Sequence, residues 1–76
     1  MTSEISSRLS VLDVVALLAD VPATGLARGQ VGTVVETLDK DNVLVEFGGD
    51  DGRAYAIVSC PIVDLLVLHY APEAVA

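Results

Sequence analysis

Cysteine occurs once in the 76 residues, at Cys60, histidine once, at His69, and basic residues only four times. A lone cysteine cannot form an intramolecular disulfide, so a disulfide scaffold is excluded and a reducing cytoplasm is expected. One Cys and one His make no zinc site unless several carboxylates converge on them. A cysteine nucleophile would also need a base and a third group to orient it. Cys60 therefore reads as a small hydrophobe packed in a strand, and His69 as a residue near a strand end. Neither catalysis nor a cofactor nor a metal is expected. Four Lys and Arg against eleven Asp and Glu leave a net charge of −7, which repels phosphate backbones and anionic lipid headgroups. Tyr55 and Tyr70 are the only tyrosines available to stack on bases, so nucleic acid is not an expected partner. No apolar run reaches the roughly 18 residues of a membrane helix, because Asp13, Asp20, Pro22 and Asp64 interrupt the richest stretches. Met1 to Arg8 shows no basic leader, apolar core and small-residue cleavage site, so no export signal is read there and a soluble cytoplasmic protein is expected.

What the chain does contain is apolar residues, 53% of the total with a mean hydropathy of +0.62, which excludes disorder. A domain this short buries only about 60% of the surface its unfolded chain exposes. Some of that apolar surface must therefore find a use outside the core.

The pattern is one of short strands. Residues 1–11 are polar without sustained periodicity and read as an N-terminal arm; residues 12–70 read as the domain and 71–76 as a flexible tail. Leu12 to Val21 is rich in valine and stops at Pro22, which favours a strand over the helix that Val11, Val14, Val15 and Leu18 could also face. Ala23 to Gln30 is a loop whose Gly25 or Gly29 is expected at positive φ. Gln30 to Leu38 is a second strand, in which Gly32 suggests a bulge or sharp bend. Asp39 to Asn42 is a polar hairpin turn. Val43, Val45 and Phe47 then alternate with Leu44, Glu46 and Gly48 in the clearest strand of the chain. Gly48 to Gly52 turns the chain with an Asp-Gly dipeptide, and Arg53 to Cys60 returns. Pro61 to Asp64 reads as one tight helical turn, and Leu65 to Tyr70 as the last strand. Five strands with this spacing predict an all-β fold, a five-stranded SH3-like small barrel with one short helical turn before the last strand. An OB-type barrel would need a helix where only Gly48 to Gly52 stands. The expected core is Val31, Val34, Val43, Val45, Phe47, Ile57 and Leu65.

Two strands carry apolar residues on both faces. Val15, Leu17 and Val21 oppose Leu12, Val14, Ala16 and Leu18 in the first, and Leu65 and Val67 oppose Leu66 and Leu68 in the last. Only one set of each can point inward. Leu12, Val14, Leu18, Leu66 and Leu68 are thus candidate interaction residues, and burial of such a face predicts self-association as a dimer. Arg28 is the remaining candidate, a basic residue in the long loop. A fold-back of the arm, with Ile5 and Leu9 as plugs, is the competing way to cover that face.

Other motifs dissolve on inspection. An EF-hand loop starting at Asp39 would need Gly and Glu where Leu44 and Asp50 stand, and turn chemistry accounts for Asp39, Asp41 and Asn42. Gly25, Gly29 and Gly32 precede a strand and no Lys-Ser/Thr pair, so they form no phosphate loop.

The segments Leu12 to Leu18, Gly25 to Glu36, Val45 to Phe47, Asp51 to Ala56 and Leu65 to Leu68 resemble a family of small bacterial proteins, domain of unknown function 4926. The resemblance runs from about Leu12 to His69, with Gly25-Leu26-Ala27-Arg28-Gly29-Gln30-Val31-Gly32-Thr33-Val34-Val35 its most distinctive part. That segment is also similar to the SH3-like barrel of the nitrile hydratase β subunit and to the glycine-bearing turn of KOW-type domains, which implies a small barrel and no particular activity. Small size, acidity and missing catalytic groups point to a protein-interaction module, such as an antitoxin or immunity-type partner of a basic protein. An accessory barrel that supports enzyme assembly, or that binds RNA weakly through Arg28, is the alternative from another class.

Overall fold

The computed structural model describes residues 9–48 and 54–69, with the side chains of Ala54 and Tyr55 excepted. These residues form an all-β, barrel-like fold: β1 (Val14–Leu17), β2 (Val31–Thr37), β3 (Asn42–Gly48), β4 (Ala54–Pro61) and β5 (Leu65–Val67), with single 3₁₀ turns at Pro22–Thr24 and Ile62–Asp64. The five strands make one antiparallel sheet in the order β4-β3-β2-β1-β5. The turn before the last strand is where proline chemistry places it. Pro61 ends β4 in an extended conformation and caps the Ile62–Asp64 turn.

Alternation sets the core. One row of inward positions, Val67, Val15, Gly32, Phe47 and Ala56, crosses all five strands in register. Val34, Val43, Val45, Leu17, Leu26, Leu65, Cys60 and Leu9 complete the buried set. Leu26 enters from the long loop, held by a local bridge to Val21, and Leu9 enters from the segment read as an arm. Ile5 lies outside the described residues.

Two expected core residues point outward instead: Val31 is 50% exposed and Ile57 58% exposed. Val31 and Val34 could share a face only if an extra residue stood between them, the role assigned to Gly32. The extra residue is Val35, since Val34 pairs with Val45 and Glu36 with Leu44. Strict alternation therefore holds from Val31 to Val34 and turns Val31 out. Ile57 pairs with the outward Glu46, while Cys60 pairs with the inward Val43. Gly32 has a different purpose: a Cβ there would stand 2.7 Å from Val45 Cγ1 and 2.8 Å from the Phe47 ring.

The first strand is also shorter than Leu12 to Val21. After Leu17 the chain bends, and Val21 pairs locally with Leu26. Before β1, Ser10 to Asp13 form a β-turn in which the Asp13 amide donates to the Ser10 carbonyl (3.0 Å) and the Ser10 amide to Asp13 Oδ2 (2.9 Å). Leu12 sits at its third position with φ 80°, a conformation that a type II turn demands and that glycine usually supplies. The loop glycines also have positive φ, 76° at Gly25 and 91° at Gly29.

Candidate functional site

Among the described residues, the register assembles an apolar surface on the outer face of β5, β1 and β2. Leu66, Ala16 and Val31 lie in one cross-strand row. In the next row Val14 pairs with Thr33, and the Leu68 amide donates to the Val14 carbonyl at 2.8 Å. Leu18 continues the outward parity of Val14 and Ala16, with its amide bonded to the Asp64 carbonyl at 2.8 Å. Leu18, Val31 and Leu66 are each about half exposed, whereas Val14 and Leu68 are partly covered.

Four of the sequence-derived candidates, Val14, Leu18, Leu66 and Leu68, are thus neighbours on one surface. Leu12 and Arg28 are not in its centre. Leu12, 74% exposed, projects from the turn that precedes β1, at the end of that strand opposite to Leu18. Arg28 lies beyond the opposite end of β1, exposed in a turn where its amide donates to Asp20 Oδ1 (2.8 Å) and the Gly29 amide to the Leu17 carbonyl (2.7 Å). Val31 belongs to the patch but escaped the sequence reading, which had spent it on the core. Its facing is fixed only by the register with β3, where the extra residue falls at Val35.

Carboxylates border this surface. Asp13 stands at one end of β1 and Asp20 beyond the other, Asp64 adjoins Leu18, and Glu46 occupies the row of Val14 and Thr33. The centre is apolar and the margin acidic.

Cys60 and His69 are not brought into a nucleophile–base pair. Cys60 is buried on β4 with its thiol directed at the Val58 carbonyl (3.7 Å). Burial, and secondarily the Asp64 charge, push that thiol above its ordinary 9.0, the opposite of what an activated cysteine requires. His69 is exposed beyond β5, at a shallow hollow of about 420 Å³ beside that strand, lined also by Leu9, Ile62, Leu65 and Val67. Among the described residues no three His, Cys, Asp or Glu side chains converge to hold a metal ion. The Asp39 turn is closed by its own hydrogen bonds: Oδ1 accepts from the Asp41 amide (2.8 Å) and from Asn42 Nδ2 (3.1 Å). Among the described residues no helix is long and apolar enough to cross a membrane.

A small antiparallel sheet with an apolar, acid-bordered outer face is therefore the class of domain in hand. The profile of one family, Domain of unknown function (DUF4926), matches residues 11–67, and the chain belongs to that family. No curated protein and no solved structure matches it. No match supports the expected likeness of the Gly25 to Val35 segment to the nitrile hydratase β subunit or to KOW-type domains.

Proposed function

We propose that this chain is a non-catalytic protein-interaction module of the cytoplasm that docks a basic protein through the outer face of β5, β1 and β2, in the manner of an antitoxin or immunity-type partner. The observation that carries this reading is the cross-strand row Leu66, Ala16 and Val31 with Leu18 beside it, an apolar centre bordered by Asp13, Asp20, Glu46 and Asp64. Apolar anchors supply affinity once desolvated. The carboxylate margin, in a chain of net charge −7, steers a partner of opposite sign and disfavours acidic competitors. A second copy on this same face would set acidic margin against acidic margin. The non-catalytic part of the reading is supported by Cys60, whose thiol is held protonated inside the core, and the cytoplasmic part by its being the only cysteine.

The test is affinity capture from the native host with the wild-type chain and with Leu66→Glu, an outward substitution that leaves the core intact. Recovery of a basic protein by the wild type, its loss with Leu66→Glu, and weakening as salt is raised are the expected results. Capture of no basic protein, or capture indifferent to Leu66→Glu, overturns the reading. Salt-dependent binding of RNA oligonucleotides at physiological ionic strength would favour the accessory barrel instead.

A further inference from the structure

We propose that the free edge of β4 is a self-pairing site, at which two copies join β4 to β4 antiparallel about a two-fold axis and form one continuous ten-stranded sheet. Among the described residues β4 is a terminal strand of the sheet, paired on one side only. The Ile62 amide donates to the Asp41 carbonyl at 2.8 Å. In an antiparallel ladder, hydrogen-bonded pairs recur every second residue. Cys60 with Val43, Val58 with Val45 and Ala56 with Phe47 are therefore the pairs that exchange bonds with β3. The same parity follows independently from the other side of the sheet, counted from the Leu18 amide on the Asp64 carbonyl through β1 and β2. The amides and carbonyls of Ile57 and Ser59 consequently face the open edge.

Exposed edges are ordinarily guarded by lysine, by an inward charge, by proline within the strand or by brevity. β4 has eight residues, its one bulge falls between Ala54 and Ala56, before the Ile57 to Ser59 stretch, and Ala54 to Val63 is the longest stretch of the sequence without a charged residue. Its only proline, Pro61, closes the strand. β5, the other edge, has three residues.

The occupant follows from charge and symmetry. Elsewhere the surface carries a net charge of −7, so two copies approach at least cost along the one long uncharged edge. A strand paired with itself also closes as a dimer without leaving a further open edge of its own kind. With Val58 opposite Val58 of the second copy, Ile57 meets Ser59 twice. Each meeting exchanges two main-chain hydrogen bonds, and Pro61, which has no N–H, limits the ladder. The two Ile57 side chains then lie diagonally adjacent on the outer face, within reach of each other. An edge contact of this length belongs to the small interface class, below about 1,200 Å² in total, so the dimer is reversible and concentration-dependent. This site is separate from the outer face of β5, β1 and β2, and stands or falls without it.

Sedimentation equilibrium of the full chain, over a dilution series from roughly micromolar to millimolar, is combined with amide hydrogen exchange at both ends of the series. The expected results are a doubling of mass with concentration and slower exchange at Ile57 and Ser59 in the concentrated sample, with Val58 and Cys60 slow at both. Ile57→Lys sets a lysine opposite Glu46 on β3, which suits the monomer and puts like charges together in the dimer. Ser59→Pro removes one edge amide. Both should stay monomeric with unchanged circular dichroism. A wild-type monomer throughout, or exchange at Ile57 and Ser59 that ignores concentration, overturns the proposal. So does a dimer that survives both substitutions and yields to Leu66→Glu.

Discussion

Phe47 packs against the bare Cα of Gly32, so closely that a methyl group at position 32 would stand 2.8 Å from the ring's Cδ1 and Cε1. The two are cross-strand partners in the inward row that spans the sheet, and Phe47 is fully buried. The row can therefore hold one large ring only because its neighbour has no side chain. Gly32→Ala should cost about 1 to 3 kcal/mol by overpacking, and Phe47→Ala about 3 to 5 kcal/mol by leaving a cavity. Because both changes act on one space, the double variant should lose less than the sum. Urea unfolding of the three variants measures this; a Gly32→Ala protein as stable as the wild type would contradict the geometry.

Backbone conformation predicts a pair of substitutions with opposite effects. Leu12 holds φ at 80° while its side chain stays largely in solvent, and a non-glycine residue in that region costs roughly 1 to 2 kcal/mol. Leu12→Gly should therefore stabilise the isolated chain or leave it unchanged. Gly29→Ala should destabilise it by roughly the same 1 to 2 kcal/mol, since φ is 91° there and nothing within 4 Å obstructs a Cβ. Thermal melts of both variants decide it, and a marked loss on Leu12→Gly would mean that the leucine side chain packs.

Cys60 predicts behaviour at alkaline pH. Its raised pKa means that the folded thiol keeps a proton which the unfolded thiol releases near its ordinary 9.0. This contribution to stability is complete below that value and is lost as pH rises through the folded pKa. Stability should fall more steeply above about pH 9 in the wild type than in Cys60→Ala. A thiol reagent at neutral pH should label the folded protein far more slowly than the urea-unfolded one. Equal labelling rates would show the thiol to be accessible.

Asp39 predicts the opposite end of the scale. Hydrogen bonds from the Asp41 amide, then from Asn42 Nδ2, hold its carboxyl below the ordinary 3.8. The carboxylate is thus favoured in the folded hairpin, and its contribution is full above 3.8 and lost as pH falls through the lower folded value. The difference in melting temperature between wild type and Asp39→Ala should be largest near neutral pH and shrink on acidification below that range. A difference independent of pH would remove the carboxylate from the account of the turn.

Much of the architecture was legible because it depends on local chemistry. Alternation from Val43 to Phe47, the turn residues at Asp39 to Asn42, and Pro61 ahead of the last strand each constrain their own neighbourhood, and each stands where local reasoning puts it. The positive φ at Gly25 and Gly29 follows in the same way. Val31 and Ile57 were misplaced because a strand's facing depends on its partner. A bulge one residue to either side reverses the parity, and nothing in Val31 to Val35 says that the extra residue is Val35 and not Gly32. Leu26 escaped the expected core because it is an isolated leucine outside any periodic run, and Leu9, expected as a plug over the apolar strand face, is buried in the core cluster.

The sequence by itself determined the class of this protein: a short, acidic, single-cysteine chain of five strands, with more apolar residues than one small core can take. Those properties follow from composition and from interactions among residues close in the chain. Only the tertiary structure decided which apolar residues are surplus, because register assigns each side chain to a face and does so through pairing with distant strands. It also decided that Gly32 serves the Phe47 ring, that Leu66, Ala16 and Val31 share a surface, and that β4 stands at the end of the sheet among the described residues. These are relations between residues far apart in the chain, and they exist only once the strands have paired over their core.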